Sequence, residues 1–183
     1  FSYFSKNGQI LSISKATIPI ENIEYSYGFG VYETMKVRNG TLYFSDQHVD
    51  RLIKSAGIIG LVHSYSKPQI KGYVQDLIDK LKPGSYNIKM LLIGGKEPLL
   101  FITALAPLFP DRKLYSLGAK TITVGYERIF PNAKTLNMLP SYMAYKKAKE
   151  NGCYDALCID PEGNIAEGTR TNFFAIKGST LFS

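Results

Sequence analysis

The chain has 183 residues, 45% of them hydrophobic and 20% charged, and its 22 lysines and arginines against 15 aspartates and glutamates give a net charge of +7. A composition with 13 tyrosines and 10 phenylalanines excludes a disordered or low-complexity chain, and a chain of this size buries roughly 70% of its unfolded surface in one large domain or two small ones. The longest apolar stretches, such as Met90 to Ile93 and Leu99 to Leu105, are strand-sized, so no membrane helix is expected.

The first forty-four residues read as antiparallel β-structure, because Asn7-Gly8 and Asn39-Gly40 each lie between runs rich in aromatic and β-branched residues and predict hairpins. Val31, Glu33, Met35 and Val37 alternate with Tyr32, Thr34 and Lys36, which predicts a strand with one buried face. Ser45 offers a helix N-cap, and Val49, Leu52, Ile53 and Ala56 recur at helical spacing up to Gly57 and Gly60. A second helix starts near Pro68, carries Ile70, Val74, Leu77, Ile78 and Leu81, and stops at Pro83-Gly84. Strands are expected at about 86–93 and 99–106. The prolines and charges of Pro107 to Lys113 lead into an interdomain linker, set at 111–118, that divides 1–110 from 119–183. Beyond it the pattern predicts a strand from Lys120 to Tyr126, a helix from near Pro140 to Glu150, a strand from Tyr154 to Ile159, a turn at Pro161 to Asn164, and a strand beginning at Phe173, Phe174 and Ile176. This order favours an α+β class over a doubly wound sheet.

Cys153 and Cys158 fit neither a C-x-x-C nor a zinc-ligand spacing and are expected to be reduced and structural. His48 and His63 are too few and too far apart for a metal centre, so no metal is expected. The basic residues are dispersed, Lys146, Lys147 and Lys149 being the densest group, and nucleic acid is not an expected partner. The start, Phe1-Ser2-Tyr3-Phe4, lacks a secretory pattern, and a cytoplasmic protein without a membrane partner is expected; the absence of an initiating Met suggests that residues precede it.

Three charged residues have chemical possibilities. Lys134, in Asn132-Ala133-Lys134-Thr135-Leu136-Asn137, has apolar neighbours, and a lysine in a partly apolar cleft is able to form a Schiff base with an aldehyde. The plain alternative is a solvated loop lysine. Glu167 follows a turn and precedes Gly168, where a second group is able to approach the backbone; the alternative is a loop carboxylate. Arg51 has a planar fork suited to phosphate, against the alternative of a solvent-facing helix arginine.

Four segments in order, Tyr27-Gly28-Phe29-Gly30-Val31-Tyr32-Glu33, Asp46-Gln47-His48-Val49-Asp50-Arg51-Leu52, Lys134-Thr135-Leu136-Asn137 and Glu167-Gly168-Thr169-Arg170-Thr171-Asn172-Phe173-Phe174, resemble the signatures of the class IV aminotransferases. That family, of fold type IV among pyridoxal-phosphate enzymes, includes branched-chain aminotransferase, D-amino-acid aminotransferase and aminodeoxychorismate lyase. The resemblance implies a small N-terminal α+β domain at 1–110 and the first part of a cofactor domain at 119–183. It implies pyridoxal 5′-phosphate as cofactor, bonded by Lys134, which also shuttles the proton. Arg51 would bind the 5′-phosphate, Glu167 would pair with the pyridine nitrogen, and Thr169, Thr171 and Asn172 would run beside the cofactor. Tyr32 would line the substrate pocket. A homodimer acting on an amino acid and a keto acid is implied.

Two departures from the family pattern stand out. Phe29 replaces a common aspartate, and the family's remaining cofactor-domain half, with its threonine-bearing phosphate loop, has no counterpart before Ser183. A fragment of a longer protein is therefore expected, a short degenerate member being the alternative. Lys89 falls near a strand position where branched-chain enzymes often have a substrate-facing arginine, and Gly94 falls about where the D-amino-acid enzymes have a carboxylate-binding arginine. The expected function is amino transfer, with branched-chain amino acids among the candidate substrates. The alternatives are the lyase, which releases pyruvate from aminodeoxychorismate, and a non-catalytic short member.

Overall fold

The computed structural model describes residues 1–183. They divide into two units: Phe1–Leu108 with Asn132–Asn137, and Phe109–Pro131 with Met138–Ser183.

The first unit is a six-stranded antiparallel sheet with two helices on one face. Its strands are β1 (Tyr3–Lys6), β2 (Gln9–Ser12), β3 (Gly30–Arg38), β4 (Thr41–Leu42), β5 (Ser85–Ile93) and β6 (Leu99–Leu105), in the spatial order β2-β1-β6-β5-β3-β4. Both Asn-Gly hairpins form, with Asn7, Gly8, Asn39 and Gly40 all at positive φ, as the primed two-residue turns require. The β-reading fails between them, where a 3₁₀ turn (Ile13–Lys15) and the short helix α1 (Ile23–Tyr27) intervene. Helices α2 (Ser45–Ile58) and α3 (Lys67–Lys80) press Val49, Leu52 and Ala56, and Ile70, Val74, Leu77 and Ile78, against the alternate strand residues Val31, Met35, Val37, Ile88, Met90, Leu92, Leu100 and Ile102. Ser45 is not the cap of α2: Phe44 holds that place in the left-handed region, with no side-chain bond to the first turn. Ser66 does cap α3, in a reciprocal box with Gln69.

The open edge at the start of β3 is covered by the segment carrying Lys134. Val31 forms an antiparallel bridge with Thr135, Tyr32 N–H donates to Lys134 O at 2.9 Å, and Leu136 N–H donates to Gly30 O at 2.9 Å. These bonds satisfy edge groups that β4, two residues long, leaves uncovered.

The second unit holds α4 (Lys113–Leu117), which lies inside the segment expected as a linker, and a three-stranded sheet of β7 (Thr121–Gly125), β8 (Asp155–Ile159) and β9 (Ile165–Gly168). Strands β7 and β8 are parallel and joined through α5 (Leu139–Glu150), whose Ala144 and Ala148 pack on Ala156, Cys153, Ile122 and Val124. Both cysteines are free and buried. The chain ends in a hairpin of β10 (Ala175–Lys177) and β11 (Thr180–Phe182). Phe173 and Phe174 precede β10 instead of starting it, and Glu167 stands on β9, not in a loop.

Candidate functional site

In the first unit, the face of β3 turned to the helices carries a carboxylate among apolar residues. Glu33 is fully buried, and Arg51 and His48, three residues apart on one side of α2, both reach it. Arg51 donates from Nε to Glu33 Oε1 and from Nη2 to Oε2 at 2.8 Å, a bidentate pair, while His48 Nδ1 donates to Oε2 at 2.8 Å. Burial by itself pushes the Glu33 carboxyl up. The bonds from Arg51 and His48 and the nearby charges of Arg51 and Lys134 outweigh it and hold the group below its ordinary range. The Arg51 side chain remains 51% exposed while two of its guanidinium nitrogens are held by Glu33.

Tyr32 occupies the opposite face of β3, with Leu91 directly across on β5 and Thr34 and Lys89 paired one step along. Two ammonium groups lie over its ring: Lys134 Nζ at 5.0 Å and Lys89 Nζ at 5.4 Å from the centroid. The Lys134 side is fixed through its backbone, because its N–H donates to the buried Ser55 Oγ at 3.1 Å while its carbonyl accepts from Tyr32. Arg51, Tyr32, Lys89 and Lys134 are thus brought into one unit, together with a buried carboxylate that the sequence did not single out.

The Phe29 departure has a packing counterpart. A Cβ on Gly94 would lie 2.3 Å from the Phe29 ring, so the two residues fit only because position 94 lacks a side chain.

In the second unit, Glu167 forms an ion pair with Arg128, Nε to Oε1 at 2.5 Å, both side chains being partly buried. The following loop is built on the buried Asp155. Thr169 Oγ1 donates to Asp155 Oδ1, Thr171 Oγ1 donates to Oδ2 at 3.2 Å, and the Ala156 N–H donates to Oδ1 at 2.8 Å. Gly168 N–H donates to Thr171 O at 2.8 Å, closing the turn. A Cβ on Gly168 would stand 2.2 Å from Thr171 Oγ1 and 3.1 Å from Asp155 Oδ2, which explains the glycine of the Glu-Gly-Thr stretch. Asn172 and Glu167 line a surface pocket with Pro131, Ala166, Phe173 and Phe174.

Sequence reasoning missed Glu33, His48, Arg128 and Asp155. Glu33 carried a usable signal, since a carboxylate at an inward position of an otherwise apolar strand face must be partnered. Asp155, opening the apolar run Asp-Ala-Leu-Cys-Ile, carried a weaker one. Nothing in the spacing of Arg128 and Glu167 announces their contact.

The first unit carries the two kinds of group that a phosphorylated aldehyde needs, a half-exposed guanidinium suited to a phosphate and a partly buried primary amine beside an aromatic ring suited to a carbonyl. Residues 30–183 match the family model described as amino-transferase class IV. The chain is 29% identical over 188 residues to D-alanine aminotransferase of Bacillus licheniformis, covering 97% of this chain and 66% of that protein. It is 29% identical over 198 residues to a probable branched-chain-amino-acid aminotransferase of Rickettsia bellii (strain RML369-C), covering 99% and 67%. The fold matches the branched-chain amino acid aminotransferase of Escherichia coli with a TM-score of 0.89 at 22% identity, over 100% of this chain and 67% of that one. The branched-chain aminotransferase of the archaeon Thermoproteus uzoniensis, solved with norvaline, gives a TM-score of 0.85 at 22% identity, over 98% and 66%. The chain therefore spans about two thirds of the length of these relatives.

Proposed function

This chain belongs to the amino-transferase class IV family, and from that premise we propose that it serves pyridoxal-5′-phosphate-dependent transfer of an amino group between an amino acid and a 2-keto acid. The observation that carries the reading is the position of Lys134, its amine over the Tyr32 ring and its backbone bonded to β3 and Ser55, in a unit that also presents Arg51.

When bound, the cofactor supplies an electron-accepting pyridinium ring that stabilises the charge left on the substrate Cα after proton loss. Lys134 would hold the cofactor through its aldehyde group, and its amine, a nucleophile and a base, would take the substrate Cα proton at Nζ. Arg51 holds the 5′-phosphate through its planar fork. Glu167, paired with Arg128, would hold the proton on the ring nitrogen. Thr169, Thr171 and Asn172, in the loop that Asp155 shapes, would run beside the cofactor. Tyr32 lines the substrate pocket, and Lys89, an ammonium near the same ring, attracts a substrate carboxylate. The resemblance at Lys89, together with Gly94 packed under Phe29, favours an L-amino acid of branched-chain type over a D-amino acid.

The resemblance also supports a homodimer. No helix is long and apolar enough to cross a membrane.

Coupled assays test the reaction. Keto-acid-dependent amino transfer, abolished by Lys134→Ala, is expected. Pyruvate release from aminodeoxychorismate without amino transfer would replace this reading with the lyase.

A further inference from the structure

Arg51, as a phosphate ligand on the function proposed above, faces a physical problem. An arginine side chain has many rotamers, and freezing one on ligand binding costs affinity. Its side chain is 51% exposed, so packing alone does not fix it. The buried carboxylate of Glu33 solves this. It takes the Nε and Nη2 donors of the guanidinium in a two-point contact, which sets both the position and the plane of the fork. His48 donates to the same Oε2, so the carboxylate is itself oriented by a third group. Glu33 is fully buried on the core face of β3, in mid-strand and paired across to Met90, and is as rigid a support as the unit offers. Neither of these contacts uses Nη1, and the side chain is half exposed, so that end of the guanidinium is the one assigned to an anion below.

We infer that Glu33 is a positioning residue for phosphate recognition: with His48 it pre-orients Arg51, so that the Nη1 edge meets the cofactor phosphate without reordering. The inference rests on the pyridoxal-phosphate reading of this site. It does not require Glu33 to touch the cofactor.

The test compares two ligands that differ only in the group concerned. Dissociation constants of pyridoxal 5′-phosphate and of pyridoxal are measured by spectroscopic titration of the purified chain, for wild type, Glu33→Gln, Arg51→Gln and the double variant. Glutamine keeps the size of Glu33 but points an N–H₂ at a donor. Pre-orientation predicts that Glu33→Gln weakens the phosphorylated ligand about tenfold while leaving pyridoxal unchanged. In the double variant, Glu33→Gln should add little to the loss from Arg51→Gln, because the two act through one contact. Equal weakening of both ligands, or none, overturns the inference and leaves Glu33 a structural residue. A wild-type chain that binds pyridoxal as tightly as its phosphate removes the role of Arg51, and with it both the cofactor reading and this inference. Should Glu33→Gln fail to fold, His48→Gln carries the same comparison from the partly exposed rim of the cluster, with a smaller loss confined to the phosphorylated ligand expected and an equal or absent loss overturning it.

Discussion

Glu33 is a buried carboxylate that accepts from both Arg51 and His48. Its folded-state carboxyl lies below the ordinary value of 4.5, burial being outweighed by the bonds from Arg51 and His48. A depressed acid contributes stability that is complete above its unfolded value and is lost as pH falls through the folded one. Glu33→Gln should therefore unfold more readily than wild type at neutral pH, by about 1–3 kcal/mol for donors left poorly matched. The gap should close as pH drops below 4.5, and urea denaturation across that range measures it. Asp155 invites a parallel test on the second unit. Asp155→Ala strips acceptors from Thr169, Thr171 and the Ala156 amide, and should cost about 1–3 kcal/mol in the same experiment. Gly168→Ala places a methyl against Thr171 Oγ1 and should destabilise by about 1–3 kcal/mol as the turn shifts. Lys134, Arg51 and Glu167 entered as candidates through the resemblance of their segments to the family signatures, and their roles are the proposals tested below. Glu33 and Asp155 announce only that a buried carboxylate needs partners, not which ones, and Arg128 announces nothing, because the partners are set by folding, as α2 brings Arg51 to β3.

At the scale of elements, local signals were strongest where the backbone itself demanded a residue type. The Asn-Gly turns are legible because only a few residues tolerate positive φ, and both hairpins form. Helix α3 is legible from its apolar spacing and Pro68, and the Ser66–Gln69 box explains its sharp start; Ser66→Ala should lower stability by about 1 kcal/mol, read from the denaturation midpoint. The start of α2 was misread because Ser45 has the chemistry of a cap, yet the hairpin places Phe44 in the left-handed region and leaves Ser45 already helical. Short elements such as α1, α4 and β9 carry too few periods for a pattern to register, so the strand that carries Glu167 leaves no signal of its own.

For the molecule as a whole, the segment carrying Lys134 follows the expected linker in sequence, yet it returns to the first unit and bonds to the edge of β3. No periodicity predicts such a return, because the pairing of Thr135 with Val31 spans more than a hundred residues and depends on an edge that β4 leaves open. Its consequence is that the amine proposed to bond the cofactor and the arginine proposed to hold the phosphate are carried by the same unit. Incubating the chain with pyridoxal 5′-phosphate, reducing with borohydride and locating the adduct by peptide mass spectrometry tests this most directly. A single dominant adduct on Lys134 is expected, lost in Lys134→Ala. An adduct spread over the other lysines, or none at all, would contradict the role assigned to Lys134 and the function built on it.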